Sequence, residues 1–93
     1  MGYNGCAWHW LPEFEFNDDK SQMNQSKHGI DFVQAQALWL DAHRAEVPAR
    51  TEDEPRFLVV AQWKGQHWSA VITYRDEKVR IISVRRAREE EVA

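Results

Sequence analysis

A chain of 93 residues makes one domain with a modest core and leaves no room for a second catalytic one. Hydrophobic residues at 43% and charged residues at 29% describe a globular rather than a disordered chain, with five tryptophans to supply large buried side chains. The single cysteine, Cys6, rules out an internal disulfide framework and fits a reducing cytoplasm; no stretch approaches the roughly 18 apolar residues of a membrane span, and Met1 to Pro12 lacks the basic start and apolar core of a signal peptide.

In chain order, an irregular arm over residues 1–12 ends at Pro12, and a single domain is expected over 13–93. Phe14 and Phe16 alternate with Glu13 and Glu15, the period-two pattern of a short strand. Asn17 is placed to cap a helix near 18–28 whose first turn carries Asp18 and Asp19, matching the helix dipole, and Gly29 suits the left-handed position that stops it. Asp31 opens a second helix with Gln34 at capping-box spacing, and Phe32, Ala35, Leu38 and Trp39 recur at helical intervals. From Ala42 to Pro55 the pattern fails, apart from a short edge strand around Ala45 to Val47. Phe57 to Trp63, Trp68 to Arg75 and Val79 to Val84 are β-branched and aromatic runs. Separated by Lys64-Gly65-Gln66 and Asp76-Glu77-Lys78, they predict two tight hairpins and an antiparallel three-stranded meander. After Ser83 the sequence turns to Arg85, Arg86, Ala87 and a charged run, the start of a short C-terminal helix. The fold class is therefore α+β: a short N-terminal strand, two helices, the meander and the final helix.

The formal net charge of −3 conceals a strong asymmetry. Residues 1–55 carry four Lys or Arg against ten Asp or Glu, whereas residues 56–88 carry eight against two, and Glu89, Glu90 and Glu91 follow. So basic a segment can hold phosphates through counterion release and arginine forks; it is equally the composition of a solvated sheet face.

Two groups of residues offer chemistry. Lys27 and His28 stand at a helix end before Gly29, where cations stabilise the exposed carbonyls by a few tenths of a kcal/mol; alternatively His28 shuttles a proton while Lys27 holds a phosphate. The second group lies on the strands. Hairpin pairing brings Arg75 near Lys78 and sets Arg80 roughly across from Thr73, with Arg85 and Arg86 just beyond. Arg80, in a strand otherwise reading Val79, Ile81 and Ile82, needs a carboxylate partner or a groove. Such a patch suits RNA cleavage without a metal, which requires a group to deprotonate the 2′-hydroxyl, one to protonate the leaving oxygen, and cations for the charge that builds on phosphorus. Tyr74 is placed to stack on a base or donate a proton. A satisfied sheet with surface ion pairs remains the plain alternative. Cys6, His9, His28, His43 and His67 show no ligand spacing, so neither a metal nor another cofactor is expected.

The residues Phe14-Glu15-Phe16-Asn17-Asp18-Asp19-Lys20, Asn24, Lys27-His28-Gly29-Ile30, Phe32 and Ala35 form one block. Arg56-Phe57, Thr73, Arg75 and Arg80-Ile81-Ile82-Ser83-Val84-Arg85-Arg86-Ala87 form a second. In that order they resemble the BrnT family of toxins, with Phe16 where tryptophan is usual, Ala61 where glycine is common and an acidic final run Glu89-Glu90-Glu91. The resemblance implies a RelE-like fold and a cytoplasmic ribonuclease that arrests translation. It also implies neutralisation by a BrnA-like ribbon-helix-helix antitoxin, with DNA met only through that partner and no membrane involved. Carried over onto this chain, the catalytic candidates are Lys27, His28, Arg80 and Arg85, and the RNA-binding candidates are Arg56, Arg75 and Arg86, joined by Tyr74 from the strand reading. The competing function is a degenerate toxin fold that serves only as a binding or autorepression module with its antitoxin.

Overall fold

The computed structural model describes residues 12–49 and 54–92; the expected N-terminal arm, with Cys6 and His9, lies outside them except for Pro12. The elements are β1 (Phe14–Glu15), α1 (Asp18–His28), α2 (Phe32–Ala35) with a 3₁₀ turn over Gln36–Leu40, β2 (Ala45–Ala49), β3 (Arg56–Trp63), β4 (Gln66–Arg75), β5 (Lys78–Arg86) and α3 (Glu89–Val92). The α+β class holds, and the expected three-stranded meander is corrected to a five-stranded mixed sheet of order β1-β5-β4-β3-β2. The physical reason is edge pairing. β2 runs antiparallel along β3, and β1 adds itself parallel to β5, Phe14 opposite Val79 and Glu15 opposite Arg80.

Local chemistry sets the helix boundaries. The Asn17 side chain accepts from Lys20 N–H at 3.0 Å, and Gly29, at φ +82°, turns the chain while its N–H donates to the Gln25 carbonyl. Asp31 and Gln34 close the expected capping box, each side chain accepting from the other's backbone N–H at 2.7 and 3.0 Å. The second helix is shorter than its apolar spacing suggests: four residues are α-helical before the chain tightens, which still delivers both Leu38 and Trp39 to the core.

α1 buries only Ser21 and Asn24, so apolar packing does not dock it. Ser21 Oγ accepts from Phe32 N–H at 2.8 Å. Asn24 takes over strand pairing where β1 stops: its amide donates to the carbonyls of Val84 and Ile30 at 2.9 and 2.8 Å, and its oxygen accepts from Val84 N–H at 3.2 Å. One buried side chain thereby satisfies three backbone groups that would each cost about 1–3 kcal/mol if left unpaired.

The core lies between α1–α2 and one face of the sheet, where Ile30, Phe32, Leu38 and Trp39 meet Val59, Ala70, Ile72, Val79, Ile81 and Val84. Both hairpins turn in two residues, Lys64-Gly65 and Asp76-Glu77, all four at positive φ, and Gln66 and Lys78 already belong to the strands. β5 is irregular at one point. Ile81 pairs with Ile72 and Ser83 with Val71, leaving Ile82 as an extra residue. Ile81 and Val84 therefore both enter the core although three positions apart, which strict alternation forbids.

Candidate nucleic-acid interface

The bulge at Ile82 builds the site. Arg80 and Arg85 lie five positions apart, and in a regular strand they would point to opposite faces. The extra residue restores phase, so Arg80, Ser83 and Arg85 share the face turned away from the core. By the same alternation, Arg56 of β3 and Ser69, Thr73 and Arg75 of β4 stand on that second face, Thr73 opposite Arg80 and Ser69 opposite Arg85. Four of the eight candidate site residues, Arg56, Arg75, Arg80 and Arg85, are thus gathered on one surface.

The others fall elsewhere. Tyr74 points to the core side of the sheet, its ring edge-on to Phe57 at 5.4 Å between centroids and its hydroxyl donating to the Glu46 carboxylate at 2.8 Å. Burial and that carboxylate push its pKa up to about 12, so it keeps its proton at neutral pH. Arg86 also faces the core side and lies 5.8 Å from the Trp68 ring. Lys27 and His28 end α1 and line a shallow depression of about 820 Å³ together with Ile82 and Ser83. The helix end thus reaches β5 at the bulge, and none of the four arginines lines that depression.

Carboxylates missed by sequence reasoning occupy this face. Arg80 Nη1 lies 3.2 Å from Glu15, supplying the partner that an arginine inside an apolar strand demands, and Arg75 lies 3.3 Å from Glu54. Arg85 makes a two-pronged pair with Glu91 of α3, at 2.9 and 2.7 Å. Glu91 also accepts from Ser69 Oγ at 2.8 Å and from Arg88 N–H at 2.9 Å. The Arg85 hydrogen bonds hold its carboxyl down at about 2 and raise the Arg85 guanidinium in turn. Thr73 Oγ1 donates to the Pro55 carbonyl at 2.7 Å. Among the described residues Arg56 and Lys78 make no ion pair, and no group of three or more His, Cys, Asp or Glu stands close enough to hold a metal. No helix among them is long and apolar enough to cross a membrane.

An acidic N-terminal half folded against a strand sheet with an arginine-rich outer face fits the class of small nucleic-acid-acting toxins. Residues 16–91 match the family model described as ribonuclease toxin, BrnT, of type II toxin–antitoxin system, and the chain belongs to that family. Membership implies an antitoxin partner. A comparison with curated proteins returns no significant match.

Proposed function

We propose that the protein is a cytoplasmic, metal-independent endoribonuclease that inhibits translation, and that a BrnA-like ribbon-helix-helix antitoxin neutralises it and supplies any contact with DNA. The observation that carries this reading is the bulge at Ile82, which sets Arg80 and Arg85 on one face with Arg56 and Arg75, while Ile82 and Ser83 themselves share a depression with Lys27 and His28. The same reading takes the arrangement of two helices against a mainly antiparallel sheet as RelE-like.

In this mechanism the substrate's own 2′-oxygen attacks the adjacent phosphorus. The bond to the 5′-oxygen breaks, giving a 2′,3′-cyclic phosphate and a 5′-hydroxyl. His28 exchanges the protons, Lys27 holds a phosphate oxygen, and Arg80 and Arg85 stabilise the charge that gathers on phosphorus. Arg56 and Arg75 extend the track along the RNA backbone, and Tyr74 and Arg86 contact the strand where it passes the sheet ends. Intramolecular attack needs proton carriers and cations, which this set supplies. Purified protein, free of contaminating nuclease, is expected to cleave single-stranded RNA equally with EDTA and with magnesium. RNA left intact by stoichiometric protein under both conditions sinks the enzyme reading.

The carboxylates seated on Arg75, Arg80 and Arg85 favour a second reading, a non-catalytic module that acts only through its antitoxin. That reading requires growth to continue normally when the chain is expressed alone.

A further inference from the structure

α3 is four residues long and buries none of them. A helix that short has no stability of its own, and Val92, 43% exposed, contributes little apolar burial to hold it. Apart from the turn it closes with Arg88, α3 is held to the sheet by one carboxylate. Glu91 meets a fully buried serine hydroxyl and a guanidinium fork. The Ser69 hydroxyl needs an acceptor at that spot, because a buried donor without one is costly.

A hydroxyl beside a guanidinium presenting two parallel N–H groups is the donor geometry that binds phosphate as well as carboxylate. Ser83 and Arg80 follow along β5 on the same face, within about 13 Å at strand spacing, so further polar and cationic groups lie in line with this pair.

We propose that Ser69 and Arg85 form a phosphate subsite for the RNA backbone and that Glu91 is its built-in competitor, so that α3 must lift before nucleic acid can fill the pocket. The inference rests on the RNA reading above and adds a gate to it. Glu91 stays ionised throughout the neutral range, its carboxyl held near 2, so the gate answers to a competing polyanion rather than to physiological acid.

The test measures binding of a 2′-O-methyl RNA oligonucleotide, which cannot be cleaved, to the intact chain, to Glu91→Gln and to a chain ending after Arg88. Both variants are expected to bind about threefold to tenfold tighter, with the plot of log affinity against log salt steeper by about 0.7 for the one added phosphate contact. Glu90→Gln removes the same charge from an exposed neighbour and should give a clearly smaller gain. The double variant Arg85→Ala/Glu91→Gln should lose the gain. Equal affinity for the folded parent and both variants overturns the proposal, as does an equal gain in Glu90→Gln. A change confined to antitoxin affinity overturns it too, because the pocket would then serve an acidic peptide. Cleavage of unmodified RNA, assayed in parallel, separates the two levels. Cleavage by the parent with unchanged oligonucleotide affinity in the variants removes the gate alone, whereas tighter binding with no cleavage by any form removes the ribonuclease reading and leaves the subsite.

Discussion

The two faces of the sheet are built by different forces. The helix-covered face is apolar and buried at Ala70, Ile72, Ile81 and Val84, and it contributes stability through burial. The opposite face buries Ser69 and Thr73, polar side chains tied to Glu91 and Pro55, and carries Arg56 together with Arg75, Arg80 and Arg85, whose partners are carboxylates. The exposed Arg75–Glu54 pair contributes little, about 0–1 kcal/mol, and the other two, partly buried, offset much of their attraction with lost hydration. Substitutions on the first face should therefore act on folding, and those on the second on binding and activity.

The sharpest way to break this division is to put a charge on the first face. Ile81→Asp places an unpaired carboxylate at a position 2% exposed, where nothing offsets its lost hydration, and loss of cooperative thermal unfolding is expected by circular dichroism. A smaller but still severe effect is expected for Asn24→Ala, which strips partners from Val84 and Ile30; about 2–4 kcal/mol of stability should be lost in denaturant titration.

On the second face, Arg80→Ala and Arg85→Ala should each lower RNA cleavage by about 100-fold or more while the protein still unfolds cooperatively, because a contact to the reacting phosphate is lost. Lysine at either position should rescue poorly, lacking the planar fork. If both alanine variants arrest growth like the parent, the phosphate track is misplaced. His28→Ala resolves the two roles of the helix end: lost cleavage at an unchanged melting temperature marks a proton carrier or RNA contact, and lower stability with cleavage retained marks a cap.

The smallest effect concerns acid. The Arg85 hydrogen bonds lower the Glu91 carboxyl from its ordinary value of 4.5 to about 2 in the folded protein, so its stabilising contribution is complete above about 4.5 and disappears as pH falls through 2. Parent and Glu91→Gln should differ in melting temperature at pH 6 and converge below pH 2.

Much of the fold was legible in the sequence because caps and turns are local. Asn17, Gly29 and the Asp31–Gln34 box fix helix ends within a few residues of chain, and period-two runs mark the strands. The parallel placement of β1 was not legible, since a two-residue strand carries no sign of its partner. For the site, pairing Arg80 with Thr73 followed from the hairpin. The common face of Arg80 and Arg85 did not, because Ile81, Ile82, Val84 gives no sign of which residue will bulge. The need for a carboxylate at Arg80 could be argued from burial; its identity as Glu15 depended on the unseen β1 pairing. Tyr74 and Arg86 separate from the other candidates for a simple reason: each is one residue out of phase with its neighbour Arg75 or Arg85.

The clamp that joins α1 to β5 has a consequence for synthesis. Asn24 waits for Val84, 60 positions later, and Glu15 waits for Arg80, 65 positions later. A chain emerging from the ribosome amino end first can form the caps of α1 and the β3–β4 hairpin as they appear, but neither closes the sheet. The arginine face is assembled only when β5 arrives, so until that strand has been made Glu15 lacks Arg80, Asn24 lacks Val84, and the growing polypeptide carries no finished face.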